Sequence, residues 1–277
     1  MARTNLEAIR QKPEVSELLT LHVLRRERIS PNFSRVTLGG GDIARFTPMG
    51  FDQWFRLFIP VAEGSLSRLP NKLDTVSYLR YLSIAKTSRP VLRNYTVRGY
   101  REHGPSGPEL DVDFVIHGSI AEGTAGPAAT WADSCEPGDA VAILDEGIGF
   151  AIPEGCERVV LVADETGLPA VAGILESLPR DAMGTAIIEV PSRADAQQID
   201  APLGIDVRWV VRDGATAKPG VAASVAATEL PLDGAPFYAW VVGEQSLPTG
   251  LRRHWVAADV PKGHITFCGY WRAGRSH

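Results

Sequence analysis

The hexapeptide RNYTVR at residues 93–98 gathers several groups that can bind a cofactor. Its alternation predicts a short strand with Tyr95 and Val97 on one face and Thr96 on the other. A tyrosine ring can cover a flavin ring, a threonine hydroxyl can hydrogen-bond a ring heteroatom, and the guanidinium of Arg93 can grip a phosphate with two parallel hydrogen bonds. An ordinary barrel strand with exposed arginines would show the same pattern, so the rest of the chain must decide.

A second candidate binding element begins at a glycine-rich loop over residues 118–126. Gly126 precedes a predicted short helix, and Pro127 suits the first turn of that helix. Backbone N–H groups at a helix N-terminus lack partners within the helix, so a phosphate could bind there. A surface loop beside a buried Trp131 would give the same pattern, and the residues alone leave both interpretations open.

A third element follows the apolar run at residues 159–163, which reads as a strand buried on both faces. Asp164, Glu165 and Thr166 come directly after it, at the edge of a parallel sheet where ligands bind. The glycine-rich fingerprint of dinucleotide-binding proteins is missing here. These residues by themselves indicate a nucleotide site only weakly.

Composition and spacing exclude several other functions. The 277-residue chain has a formal net charge of −5, which argues against binding a nucleic-acid backbone. Its three cysteines are widely separated, and none has the spacing of a zinc site. His117 could act as a base, or it could support a cofactor or the fold, but no set of residues calls for acid–base or nucleophilic catalysis. No apolar run approaches the ~20 residues of a membrane span, and no signal peptide is recognisable, so we expect a cytoplasmic protein.

The two halves of the chain predict two kinds of sheet. Six short strands separated by turns indicate an antiparallel, all-β barrel in the first half: residues 19–23, 33–38, 54–60, 93–98, 110–117 and 140–144. We also expect a mobile arm over residues 1–17, a long loop at 61–90, a turn at 101–109 and a further strand at 150–152.

From residue 158 onward, strands alternate with helices, which predicts an α/β domain with a parallel sheet covered on both faces. The predicted strands are 159–163, 185–190, 207–211, 237–242 and 265–270, and the predicted helices are 168–178, 221–228 and 247–257. The domain boundary therefore falls near residue 155, which gives domains 1–154 and 155–277. A barrel followed by a nucleotide-binding type of sheet suits the movement of electrons between two cofactors.

Five stretches, in order along the chain, give a resemblance to a known family. They are FDQWFRLFIP at 51–60, RNYTVR at 93–98, DFVIHG at 113–118 with GPAATWA at 126–132, ADETGLPA at 163–170, and YAWVVGE at 238–244 with the terminal YWR at 270–272. Together they resemble the siderophore-interacting protein family, which are ferric-siderophore reductases of the ferredoxin-reductase-like flavoproteins. The resemblance implies an FAD-binding barrel, an NAD(P)H-binding domain, and a ferric chelate as electron acceptor.

The resemblance also implies roles for individual positions. The residues matched to the flavin site are Arg93, Tyr95, Thr96 and Val97, and those matched to the pyrophosphate and adenine loop are Asp113, His117, Gly126, Ala128, Thr130 and Trp131. The residues matched to the nicotinamide side are Asp164, Glu165, Thr166 and Glu244. Arg56 and Arg272 match basic residues that attract the anionic ferric chelate.

Two stretches depart from the family pattern. The segment LDEGIG at 144–149 replaces the usual Gly-Pro-Arg-Gly, so an arginine is lost and Asp145 and Glu146 take its place. This change weakens the basic cluster expected around the substrate. The loop at 119–125 is also longer than usual, which leaves its contacts with FAD open.

Ser192 and Arg193 bear on the choice of electron donor, because they follow the second strand of the parallel sheet. An arginine at this position accommodates the 2′-phosphate of NADPH, whereas an acid favours NADH. Glu189 lies inside the strand, where it reaches the ribose less easily. We therefore expect NADPH, with NADH or a ferredoxin as the alternatives and a solvated Ser-Arg turn as the other interpretation of these residues.

The sequence as a whole predicts a monomeric ferric-siderophore reductase that carries electrons from NADPH through FAD to Fe(III). Two alternatives remain open. The first is a general flavin or ferredoxin-type reductase with no preference for ferric chelates. The second is a siderophore-binding protein with no enzymatic activity.

Overall fold

The structure is a computed structural model that describes residue 5 and residues 9–14, 16–70, 75–118, 122–212, 217–232 and 234–274. The chain divides into two compact units. The first comprises residues 11–49 and 53–148. The second comprises residues 149–277 together with the segments 1–10 and 50–52. The break after residue 148 falls slightly before the boundary expected from the sequence.

The first unit is a seven-stranded antiparallel sheet with the order β4-β3-β7-β1-β2-β6-β5. Its strands are β1 (Leu18–Ser30), β2 (Phe33–Gly39), β3 (Trp54–Ile59), β4 (Val91–Thr96), β5 (Gly99–Gly104), β6 (Gly107–Val115) and β7 (Ala140–Gly147). Helix α1 (Thr75–Ser83) lies between β3 and β4, and helix α2 (Pro127–Ser134) lies between β6 and β7.

The sheet curls into a barrel because alternate side chains along each strand are apolar and pack inside it. Leu110, Val112 and Phe114 of β6 are almost fully buried in this core. The chain just after β4 closes the barrel, since the Arg98 N–H donates to the Asp111 carbonyl of β6 at 2.9 Å. The expected antiparallel barrel is confirmed, with one strand more than the six predicted.

Three local expectations were wrong. The turn expected at 101–109 is mostly the hairpin of β5 and β6, because Gly107 at φ +92° makes the tight turn and Arg101 bonds across to Asp111. The loop expected at 61–90 contains helix α1. Residues 150–152 form no strand, because the N–H of Phe150 donates to the Asp52 carboxylate rather than to a neighbouring strand.

The second unit is a five-stranded parallel sheet with the order β10-β9-β8-β11-β12. Its elements are β8 (Arg158–Ala163), α3 (Leu168–Ser177), β9 (Met183–Val190), β10 (Gly204–Val211), α4 (Val221–Thr228), β11 (Phe237–Glu244), α5 (Ser246–Ala257) and β12 (Ile265–Trp271). The expected α/β domain is confirmed, and α4 has the predicted bounds.

The direction of chain progression reverses once in this sheet. From β8 the chain moves outward through β9 to β10, and it then returns to β11 on the other side of β8. Right-handed connections therefore place α3 on one face and α4 and α5 on the other. The reversal opens a crevice at the carboxyl ends of β8 and β11, which is where such sheets bind ligands.

The amino-terminal arm, expected to be mobile over residues 1–17, lies partly outside the described residues. Asn5 is attached to the edge of the parallel sheet, because its side chain donates to the Ile265 carbonyl at 2.8 Å and accepts from the Phe267 N–H at 2.9 Å. Gln11 pairs with Ile148 through two backbone hydrogen bonds. Among the described helices, none has the length and apolar character needed to cross a bilayer.

Gly243 gives a test of the crevice geometry, because its backbone has φ +132° and a Cβ added there would lie 2.6 Å from the Asp164 carboxyl carbon. We expect Gly243→Ala to lower the free energy of unfolding by at least about 1–3 kcal/mol. The matched control Gly250→Ala lies in α5 with nothing within 4 Å of the new methyl group. This control should be neutral or stabilising by up to about 1 kcal/mol.

Urea unfolding followed by circular dichroism measures both variants under the same conditions. Equal stability of Gly243→Ala and the wild type would show that the close approach of Gly243 to Asp164 does not constrain the fold.

Candidate functional site

Strand β4 presents the residues of the RNYTVR motif at the end of the antiparallel sheet. Because β4 comes last in the strand order, one of its edges has no neighbouring strand within the described part of the chain. Its pairing with β3 places Arg93 and Tyr95 on one face and Thr96 on the other. The ring of Tyr95 lies 4.3 Å from that of Phe114, and burial raises the pKa of Tyr95 above its usual range.

Helix α2 brings a set of backbone donors to the same unit, since it packs against β4 and β6. Its first residue follows Gly126, which is extended and provides no side-chain cap. The first amide bonded within the helix is that of Thr130, so the N–H groups of Ala128 and Ala129 precede the hydrogen-bonded turns. A Cβ at Gly126 would meet nothing within 4 Å, so there is open space at this helix start.

An aromatic row joins the two elements. The ring of Trp131, in α2, lies 5.6 Å from Phe114, which also supports Tyr95. The hydroxyl of Thr130 is exposed and donates to the Gly126 carbonyl at 3.1 Å. The unit therefore combines aromatic rings, the buried side chain of Thr96 on the last strand of the sheet, a guanidinium and an uncapped helix start. These groups fit the rings, the polar ring edge and the pyrophosphate of FAD.

Asp113 lies on the other face of β6 and reaches the motif through Arg98, whose Nε is 3.9 Å from its carboxylate. Its side chain points to the face of β6 opposite Phe114, and its two oxygens accept from Arg35 at 2.6 and 2.9 Å. His117 is exposed just after β6. The loop that follows makes a sharp turn at Gly118, which has φ +75°, and residues 119–121 of that loop lie outside the described part of the chain. A cofactor contact by Asp113 or His117 stays a prediction.

Arg56 occupies a different setting from the open basic rim suggested by the resemblance. Its Nε lies 2.6 Å from Oε1 of Glu146, which is 8% exposed. The strand register places Arg56 on the face that carries Thr96. The acid substituted for the usual arginine therefore pairs with the neighbouring cation and offsets its charge. Its neighbour Asp145 instead accepts from Gln53 and from the Gly147 N–H, each at 2.8 Å.

Asp164 occupies the crevice at the carboxyl ends of β8 and β11. Its Oδ1 accepts from the N–H and hydroxyl of Thr166 at 2.9 and 2.5 Å, and its Oδ2 accepts from the Glu244 N–H at 2.6 Å and Trp271 Nε1 at 3.1 Å. Complete burial, with the adjacent charge of Glu165, raises the pKa of Asp164 to about 6. These four hydrogen bonds come from residues at the ends of three strands, so Asp164 holds those strand ends together around the crevice.

Glu165 is held by a cation that the sequence analysis did not identify. Arg212, just after β10, places two nitrogens 2.7 and 2.9 Å from the Glu165 carboxylate and bonds Glu189 at 3.0 Å. Glu189 also accepts from the N–H groups of Gly220 and Ala223 at the start of α4. The sequence signal was an acid at the end of each of two apolar runs, which requires a cation once both acids are buried. Only the strand order shows that Arg212 can reach both.

The other predicted residues of this unit lie along the same sheet edge. Ser192 follows β9 and caps a short 3-10 turn, because its Oγ accepts from the Ala194 N–H at 3.2 Å. Arg193 is exposed in that turn, and Arg272 is exposed directly after β12. Glu244 is buried and accepts from the N–H groups of Ser246 and Ala273 at 2.7 and 3.2 Å. Along the edge, the exposed arginines after β9 and β12 thus lie on either side of the buried acids at the ends of β8 and β11.

Comparisons with known proteins agree with the division into two units. A model described as the siderophore-interacting FAD-binding domain matches residues 22–148, and one described as siderophore-interacting protein matches residues 156–274. A solved siderophore utilization protein from T. fusca shares 31% identity with a TM-score of 0.76, over 96% of this chain and 97% of that one.

Two of the curated relatives have names that state a reductase activity. Ferric vibriobactin reductase ViuB of Vibrio cholerae is 29% identical over 92% of this chain and 90% of its own length. The NADPH-dependent ferric-chelate reductase of Escherichia coli is 29% identical over 91% of this chain and 92% of its own length. Both similarities extend through both units.

Arg212 provides a test of the buried charge network. Replacing it in Arg212→Met leaves Glu165 and Glu189 buried without their cation, and we expect a loss of about 3–5 kcal/mol in unfolding free energy. Arg208→Met is the matched control, because Arg208 forms an exposed pair with Asp206 on the same strand. The control should change stability by no more than about 0.5 kcal/mol.

Denaturant unfolding of both variants and the wild type measures these differences in unfolding free energy. If the two methionine variants lose the same small amount of stability, the Arg212 network does not hold the strand ends together.

Proposed function

Because the chain belongs to the siderophore-interacting protein family, we propose that it is a ferric-siderophore reductase that carries electrons from NADPH through FAD to Fe(III). The observation that carries this proposal is the set of FAD-compatible groups on β4 and α2, within the region matched by the FAD-binding model. The names of the two curated relatives support the acceptor, and that of the Escherichia coli relative supports the donor.

The residues of the first unit would bind and orient the cofactor. Tyr95 covers a ring face, the hydroxyl of Thr96 meets the polar ring edge, and Arg93 with the start of α2 binds the phosphates. When bound, FAD accepts a hydride and passes on single electrons, which is chemistry that no side chain supplies. The aromatic row and the apolar core beneath it exclude water from the side of the ring that they cover.

The second unit would bind the nicotinamide nucleotide at the crevice edge. Arg193 presents a planar fork to the 2′-phosphate, and the hydroxyl of Ser192 adds a donor beside it. Thr166 and Glu244 line the point where the chain order reverses, and Asp164 holds both of them in place. These residues bind and orient the donor, and no acid–base group is required of the protein.

The acceptor needs an open approach rather than a catalytic pocket. One electron converts a chelated Fe(III) to Fe(II), and hard oxygen donors hold Fe(II) less tightly, so the metal can leave the siderophore. Arg272 is exposed and available to an anionic chelate. Release of iron in the cytoplasm, use of a ferredoxin as an alternative donor, and action as a monomer belong to the proposal.

The first prediction from the proposed function concerns the cofactor and the class of acceptor. The purified protein should be yellow and release FAD rather than FMN on acid treatment, because α2 offers a second phosphate site that FMN does not need. With NADPH, it should reduce ferric siderophores in preference to free flavins or quinones. Chromatography of the released cofactor and a Fe(II)-chelator colour assay measure the two properties.

Each alternative function has a distinct outcome in these assays. Equal turnover of all small acceptors would indicate a general flavin reductase. A protein that stays colourless after incubation with FAD but binds ferric siderophores would be a carrier with no enzymatic activity.

The second prediction concerns the pair of Arg56 and Glu146. Glu146→Gln removes the charge that offsets Arg56 but keeps an oxygen to accept from it. We expect the apparent KM for an anionic ferric tricatecholate to fall roughly two- to fivefold and its salt dependence to steepen. Arg56→Ala should raise the same KM. Arg45→Ala, which removes an exposed arginine paired with Asp42, serves as the control.

Steady-state kinetics over a range of ionic strength, with flavin content measured for each variant, provide the data. If KM is unchanged in both Glu146→Gln and Arg56→Ala, the pair lies away from the path of the chelate.

The third prediction concerns the donor. Arg193→Ala should slow flavin reduction by NADPH at low concentration by a factor that corresponds to about 1.5–3 kcal/mol, the value of one charge-assisted hydrogen bond. Reduction by NADH should change little. Arg180→Ala removes another exposed arginine, near the opposite, amino-terminal end of β9, and it should affect neither donor.

Rapid mixing of each variant with NADPH or NADH measures these rates. Equal slowing of both donors by Arg193→Ala, or a wild type that prefers NADH, would contradict the role of Arg193 in reading the phosphate.

A further inference from the structure

Helix α1 carries an exposed apolar strip that the redox chemistry leaves unexplained. Tyr78, Leu79 and Leu82 are 41%, 62% and 42% exposed. Residues three or four positions apart lie on the same side of a helix, so the three side chains form one continuous strip. Tyr81, in contrast, is only 6% exposed. The helix therefore has an attached side and an apolar side turned to solvent.

The attached side fixes α1 to the barrel. The ring of Tyr81 meets that of Phe58 edge-on at 5.8 Å, and its hydroxyl donates to the Pro90 carbonyl at 2.8 Å. The guanidinium of Arg89 lies over the same ring at 5.6 Å. Leu144 of β7 belongs to the same buried cluster. Because these contacts anchor the helix through one side, the strip stays turned outward.

Positive charge is enriched in the segment that carries the strip. Residues 61–90 contain five Lys or Arg against two Asp or Glu, in a chain whose formal net charge is −5. Arg68, Arg80 and Lys86 are exposed, and Arg89 is half-buried. An anionic surface would repel most of this protein but attract this segment. The local excess of Lys and Arg therefore indicates that the apolar strip would contact an anionic surface.

We propose that α1 and its flanking cations form a docking surface for a lipid bilayer that contains anionic lipids. A short helix with leucine and aromatic side chains on one side, and with Lys and Arg on its other side and in the flanking turns, is the pattern of a segment that lies in the membrane interface. A stable protein–protein contact needs about 800 Å² from each partner, with a packed apolar centre. Three side chains on a nine-residue helix do not supply that area, whereas a bilayer accepts a small patch.

The docking surface lies on the side of the barrel that carries Arg56, a candidate substrate-binding residue. Phe58, which anchors α1, lies two residues from Arg56 on the same face of β3. Docking through α1 would therefore turn the face that carries Arg56 towards the membrane. No apolar run in the sequence is long enough to span a membrane, but a peripheral contact needs no such run. The proposal does not depend on the redox activity.

Vesicle co-sedimentation of the full-length holoprotein tests the proposal. The probe is phosphatidylcholine vesicles with and without about one-third phosphatidylglycerol. We expect binding only to the anionic vesicles, weakened by high salt. Leu79→Ser/Leu82→Ser and Arg80→Glu/Lys86→Glu should each weaken binding by about tenfold or more. The control Val221→Ser/Val225→Ser removes residues that are 50% and 53% exposed on α4, and it should bind like the wild type.

Three outcomes would overturn the proposal. The first is a wild type that does not sediment with anionic vesicles. The second is an equal loss of binding in the α4 control. The third is self-association of the wild type in light scattering that Leu79→Ser/Leu82→Ser abolishes, because the strip would then be a contact between two copies. The Arg80→Glu/Lys86→Glu variant leaves the packing of Tyr81 untouched, so its loss of binding cannot be ascribed to misfolding.

Discussion

The buried carboxylate of Asp164 is the constraint on which the carboxyl edge of the parallel sheet depends. It lies at the one place where the strand order of the parallel sheet reverses, and it accepts hydrogen bonds from residues at the ends of β8, β11 and β12. Burial of this acid costs free energy that its four donors offset only in part, since its pKa stays raised to about 6. Glycine is favoured at position 243 because a Cβ there would lie only 2.6 Å from the carboxyl carbon of Asp164, and because its φ is +132°.

The protein uses the same physical solution wherever acids are buried, which is to surround each carboxylate with protein donors. Arg212 joins Glu165 to Glu189 at the ends of the parallel strands. Three acids on the outer face of β6 each accept from an arginine: Glu109 from Arg25, Asp111 from Arg101 and Asp113 from Arg35. The fork from Arg25 contributes most to lowering the pKa of Glu109 to about 2. The described buried carboxylates are therefore paired within the protein itself.

The pattern of apolar residues predicted those strands whose side chains are buried in a regular pattern. The apolar runs of the parallel sheet became its five strands, and the alternation at 110–117 became β6. Strand β5 was missed because its sequence is polar and contains glycine at both ends, and its pairing with β6 depends on ion pairs such as that of Arg101 with Asp111. Helix α1 was missed because it lies between prolines in a polar stretch and gains its stability from packing against Phe58.

Residue types and their order along the chain predicted the motifs of the candidate site but not the contacts between them. The motif at 93–98 and the start of α2 were recognised from their sequence, and the structure places both against Phe114. The pairing of Arg56 with Glu146 and of Arg212 with two acids could not be foreseen, because each requires knowledge of which strands are neighbours. Ion pairs between strands are therefore the part of the site that the sequence pattern does not predict.

The central claim is that one chain accepts electrons from NADPH and delivers them to a ferric chelate. The most direct measurement is anaerobic stopped-flow absorbance of the FAD-loaded protein, mixed first with NADPH and then with a ferric siderophore. Our account predicts loss of the oxidised flavin spectrum in the first mixing and its full recovery in the second, with two Fe(II) formed for each NADPH consumed. A flavin that stays oxidised with NADPH, or a reduced flavin that no ferric chelate reoxidises without oxygen, would contradict the account.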